Sequence, residues 1–178
     1  MKTTQKTALC GVFGALSIVI MLMGSIIPMA TYICPAFAAF LILPVVAEYG
    51  EKTALTLYAS VSLLSLMLIA EKEFVLMYVC VFGLYSVFKF KADRIKPKFL
   101  QFTLKALYAL ATTAATYGLL LFVFPNPVLE GEFGDMSAVL MVIFFTLFVI
   151  TFMLYDIAAK VVFILYRQRI RNKIFKGK

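Results

Sequence analysis

Histidine and tryptophan are absent from the 178 residues, and there are only three cysteines. Without histidine the chain lacks the commonest metal ligand and the side chain that ordinarily titrates near neutral pH. Cys10, Cys34 and Cys80 lie apart in apolar segments, with no Cys-x-x-Cys spacing and no even count. They read as small packing residues rather than as a disulfide framework or a metal site. Zinc-protease and metal-oxidase chemistry therefore has no donor set to work with. The glycine-rich phosphate loop followed by Lys and Ser or Thr is also missing, which removes ATP hydrolysis by that route. Ser17, Ser25, Ser60, Ser62 and Ser65 have no motif supplying a base, so no enzymatic activity and no cofactor are expected. Charge is scarce as well: 15% of residues are Asp, Glu, Lys or Arg, against about 25% in globular domains.

Apolar residues are abundant, at 63% of the chain, and the mean hydropathy is +1.00. They come in long blocks that leave no polar face to meet water, so the sequence reads as one integral membrane domain over residues 1–178. A membrane-crossing helix needs about 20 mainly apolar residues. Six candidates satisfy that pattern approximately, over residues 8–29, 32–49, 53–70, 74–88, 104–124 and 136–166. The first follows a short basic start, but it is too long for the apolar core of a signal peptide and has no convincing cleavage site. The second contains Pro35 and Pro44 and is expected to kink or break. Glu48, Gly50, Glu51 and Lys52 are expected to form a turn, and residues 89–98 a basic loop. Pro125-Asn126-Pro127 ends the fifth segment, and the overlong sixth is expected to tilt or emerge from the membrane. The fold class is an all-α polytopic bundle of six transmembrane helices.

Six crossings place both termini on one side. With the termini in the cytoplasm, sixteen of the seventeen Lys and Arg residues fall inside and only Lys72 outside. The outer loops then carry Glu71, Glu73, Glu130, Glu132 and Asp135. The bases set the orientation, because acidic residues contribute little to it. The net charge of +8 thus reads as cytoplasmic anchoring to membrane lipids, not as a nucleic-acid surface.

Four features carry candidate function. On the first helix Thr7, Gly11 and Ala15 recur every four residues, with Cys10 and Gly14 beside them; such small residues let another helix approach closely, within the bundle or from another subunit. The Glu71-Lys72-Glu73 triplet, with Tyr78 nearby, is either a locally paired loop or a charged lid over an outer pocket. Thr112, Thr113, Thr116 and Tyr117 cover about one face of the fifth helix, and their hydroxyls serve either helix packing or a ligand. Tyr32 and Asn126 lie near outer helix ends and are weaker candidates of the same kind. Asp156 is the acid deepest in a predicted segment; Lys160 follows at ion-pair spacing, so the pair is a cytoplasmic-edge contact or an ion relay.

The layout of six short helices, with the opening Lys6-Thr7-Ala8-Leu9-Cys10-Gly11-Val12-Phe13-Gly14-Ala15-Leu16, resembles the substrate-binding (S) components of energy-coupling-factor transporters. That family carries an Ala-x-x-x-Ala-like motif on helix 1 that meets a transmembrane coupling subunit. Here Ala8 is followed at the fourth place by Val12, and Gly11 with Ala15 supply the better small pair. The resemblance implies capture of a vitamin-like small molecule in the outer half of the bundle, and uptake powered through a coupling subunit and two ATPase subunits in the cell membrane. Its implied substrate contacts are drawn from Tyr32, Glu71, Lys72, Glu73, Tyr78, Thr113, Thr116, Tyr117 and Asn126, and its docking face is Thr7, Gly11 and Ala15. A membrane scaffold or assembly protein using the same helix-1 face is the alternative, and an intramembrane enzyme a weaker third.

Overall fold

A computed structural model of the chain describes residues 3–25, 33–93, 98–123 and 138–170. Among these the regular structure is entirely helical, in six rods. The first rod is α1 (Thr3–Gly24); the second is α2 (Ile33–Phe40) followed by α3 (Ile42–Tyr49); the third is α4 (Glu51–Leu68). The fourth joins α5 (Lys72–Leu76), a π-helical turn (Met77–Gly83) and α6 (Leu84–Ala92). The fifth is α7 (Lys98–Val123), and the sixth is α8 (Ala138–Leu165) with a π-helical end (Tyr166–Ile170).

Local chemistry accounts for the breaks. Pro35 sits in the first turn of α2, where a missing N–H costs nothing. Pro44 cannot donate to the carbonyl of Phe40, and the second rod breaks at Leu41, whose N–H turns back to the Ala38 carbonyl at 3.3 Å. The turn expected over Glu48 to Lys52 is one residue, Gly50, with φ 81° and ψ 173°. That region is open essentially to glycine alone. Glu48 stays inside α3, and Glu51 occupies the first turn of α4, where its charge complements the helix dipole.

The opposite end of α4 is closed by Lys72, whose Nζ donates to the carbonyls of Leu66 at 2.9 Å and Ile69 at 3.0 Å. A lysine on the last carbonyls satisfies groups that a helix cannot pair internally. Two segments are longer than expected. Lys89, Lys91 and Lys98, assigned to a loop from sequence, are all helical, and α7 starts at Lys98 rather than near 104. Helices extend past their apolar stretch because the backbone ladder does not depend on side-chain polarity.

Among the described residues three helical stretches are long and apolar enough to cross a membrane: Lys6–Gly24, Lys72–Lys91 and Phe145–Gln168. Burial separates them. In the fourth rod 67% of the stretch is buried, against 22% for the first and 28% for the sixth. The fourth rod is therefore the axis of the bundle. It packs against α7, α2, α3 and α4, and α1 packs on α2 and α4. The outward faces carry large exposed apolar side chains, including Val12, Phe37, Met67, Phe102, Phe122 and Leu154. Large apolar side chains exposed in such number are compatible with a membrane environment.

Candidate functional site

The axis rod is widened where it passes the middle of the bundle. Single π-helical turns inside α-helices are rare and occur frequently at functional sites. Two tyrosines from neighbouring rods grip the turn. Tyr58 of α4 donates to the Val79 carbonyl at 2.7 Å, and Tyr108 of α7 donates to the carbonyls of Cys80 and Val81, both at 3.2 Å. Gly83 closes the turn because no side chain fits: a Cβ there would lie 2.8 Å from the Tyr58 ring and 2.8 Å from the Tyr78 carbonyl oxygen.

Tyr78, on this turn, is fully buried, and its hydroxyl has no hydrogen-bond partner among the described residues. An unmet buried hydroxyl costs on the order of 1–3 kcal/mol, so it invites a ligand or a water. About 7 Å along the rod toward Lys72, at 1.5 Å per residue, stands Glu73 with its partner. Glu73 is half-buried and accepts a hydrogen bond from the Tyr117 hydroxyl at 3.0 Å. Thr113 and Thr116 are fully buried on the same helix as Tyr117. The structure thus brings Glu73 and Tyr117 into contact, and α7 packs along the turn that bears Tyr78.

The threonine hydroxyls, however, donate to their own helix: Thr112 to Tyr108 at 2.8 Å, Thr113 to Ala109 at 2.7 Å and Thr116 to Thr112 at 2.8 Å. They retain only acceptor capacity for a ligand. Glu71 is exposed at the start of α5, and Lys72 is committed to capping α4. Tyr32 and Asn126 lie outside the described residues. Tyr58 and Tyr108 were not singled out from sequence. Tyr108 lies four residues before Thr112, on the helical stripe that continues to Thr116, which was the available signal.

The small residues of the first helix, expected from sequence to let another helix approach, border a groove of about 740 Å³ between α1 and α4, lined among others by Thr7, Gly11, Ala15, Thr56, Ser60 and Leu64. A Cβ on Gly11 would meet nothing within 4 Å, so Gly11 faces open space, whereas one on Gly14 would lie 3.1 Å from Leu57. Gly14 serves the contact between α1 and α4, and Gly11 lines the vacancy beside it.

Asp156 has far more company than Lys160. It is 5% exposed, beside Lys89 at 2% and Lys105 at 4%. Lys89 bonds both its carboxylate and its carbonyl, Lys105 Nζ lies 2.8 Å from Oδ2, and the Tyr85 hydroxyl donates to Oδ1 at 2.6 Å. Asp93 extends the cluster, 2.6 Å from Lys105, and takes a bond from Gln101 at 2.9 Å. Lys160, half in solvent, stands 3.3 Å from Asp156. The cluster ties α6, α7 and α8 together at the ends where sequence places the cytoplasm. The missed partners had a signal, since Tyr85, Lys89 and Asp93 recur every four residues.

The chain matches no family model, no curated protein and no solved structure.

Proposed function

We propose that this chain is a membrane substrate-capture subunit of an energy-coupling-factor-type importer: a six-span bundle in the cell membrane with both termini in the cytoplasm. It binds a vitamin-like small molecule in its outer half and performs no catalysis. The observation that carries the reading is the enclosed Tyr78 hydroxyl, without a hydrogen-bond partner among the described residues, on a π-helical turn, with Glu73 and Tyr117 joined above it. The division of charge supports the orientation, since the bases gather at one end and the acidic triplet at the other. Tyr78, Thr113 and Thr116 are closed off in this conformation, so capture involves parting of the outer helix ends.

The α1–α4 groove is the surface for a coupling subunit that works with two ATPase subunits. Co-purification from the native membrane tests this. Gly11→Leu and Ala15→Leu, which fill the groove, are expected to reduce the recovered partners at least tenfold while the chain stays folded, because Gly11 faces open space. Undiminished recovery from both variants would remove the docking face from the account. The back-bonded threonines favour a second reading, a scaffold whose hydroxyls serve helix geometry alone. An intact complex without ligand or uptake would support that reading instead.

A further inference from the structure

The groove between α1 and α4 has a length, a polarity and an end charge of its own. Its lining runs from Lys6 to Ile18 on α1 and from Lys52 to Leu64 on α4. Gly14 faces Leu57 and Val61, and Gly24 at the end of α1 faces Phe74 just past the end of α4, so the two helices run in the same direction. Each run spans twelve residue steps, which makes the groove about 18 Å long. That length is close to one leaflet, about half of a ~30 Å hydrocarbon core.

Its walls offer little to a polar occupant. Thr53 donates to Tyr49, Thr56 to Lys52 and Ser60 to Thr56, so these hydroxyls are turned back on the helices that bear them. The remaining wall is Gly11, Gly14, Ala15, Ile18, Leu57, Val61 and Leu64 in the main. The charged features are Lys6 and Lys52, both at the same end. Neither forms an ion pair with a described carboxylate, in contrast to Lys91, which sits 2.6 Å from Glu51. An apolar trough about one leaflet long, ending in two ammonium groups that pair with no described carboxylate, complements an acyl chain with an anionic headgroup.

We infer that the groove holds an anionic phospholipid of the cytoplasmic leaflet, with its phosphate between Lys6 and Lys52 and an acyl chain along Gly11, Ala15 and Leu64. The leaflet follows from the orientation proposed above, whereas the lipid class follows from the groove alone. A coupling subunit that docks on this face displaces the lipid, so anionic lipid competes with assembly.

Native mass spectrometry of the isolated full-length chain tests the inference without partner or substrate, so its outcome is independent of the capture reading. The chain is exchanged into micelles holding equal amounts of phosphatidylglycerol and phosphatidylcholine with the same acyl chains. Retention of phosphatidylglycerol is expected to exceed that of phosphatidylcholine about tenfold. The Lys6→Gln, Lys52→Gln double variant is expected to lose the preference, Lys91→Gln to keep it, and Gly11→Leu to lower retention of both lipids. Equal retention of the two lipids would overturn the inference. So would an equal effect of Lys91→Gln, which would indicate diffuse surface attraction, or a groove filled by a second protein chain with no lipid retained. Circular dichroism of each variant confirms that helix content is unchanged where binding is lost.

Discussion

Asp156→Ala is expected to cost about 3–5 kcal/mol of stability, the range for removing one partner from a buried ion pair. The reason is what it leaves behind. Lys89 and Lys105 would remain buried, and among the described carboxylates only Asp93, farther toward solvent, would face them. The Tyr85 hydroxyl would lose its acceptor as well. Asp156→Asn should fall between wild type and Ala, because an amide oxygen can still accept from Tyr85 and a lysine while the compensating charge is lost. Replacing Lys89 and Lys105 by Met together with Asp156→Leu should recover most of the loss, since a well-packed apolar set often equals a buried ionic one. Unfolding in graded denaturant, followed by circular dichroism in micelles, measures all three. An Asp156→Ala chain as stable as wild type would mean that the cluster does not hold α6, α7 and α8 together.

Gly83→Ala should lower stability by about 1–3 kcal/mol, the usual cost of overpacking an interior. One methyl group has large leverage here because its two nearest neighbours are an aromatic ring and a backbone carbonyl, each at 2.8 Å. The Tyr58 ring can retreat only by giving up its 2.7 Å bond to the Val79 carbonyl. The Tyr78 carbonyl can move only if the π turn changes pitch, which would swing the Tyr78 hydroxyl from its position. Ligand retention should therefore fall about tenfold, a shift of about 1.4 kcal/mol in binding. Gly11→Ala is the matched control: its methyl group meets nothing within 4 Å and should be silent in both assays. If Gly83→Ala is equally silent, the turn is not the element that positions the site.

The parts legible in the sequence were those written in local chemistry. Long apolar blocks marked the six rods, Pro44 marked the break in the second, and Gly50 marked the turn before α4. What stayed hidden depends on partners distant along the chain. The π turn is gripped by hydroxyls 21 and 27 or 28 residues away, and no spacing rule within residues 77–83 announces it. Lys89 and Lys105 read as membrane anchors because basic residues near helix ends usually are. Packing instead folds them inward onto Asp156, 67 and 51 residues away. Lys72 shows the reverse case. It stood out as the lone outer base, and its job is to close the end of α4.

The most direct test of the capture reading is native mass spectrometry of the gently purified chain, released from micelles into the gas phase. The account predicts a retained small molecule at one copy per chain, reduced at least tenfold by Tyr78→Phe and by Glu73→Gln in chains that remain folded. Bound phospholipid set aside, a folded wild-type chain that carries no small molecule, or one whose bound molecule is indifferent to both substitutions, would contradict it.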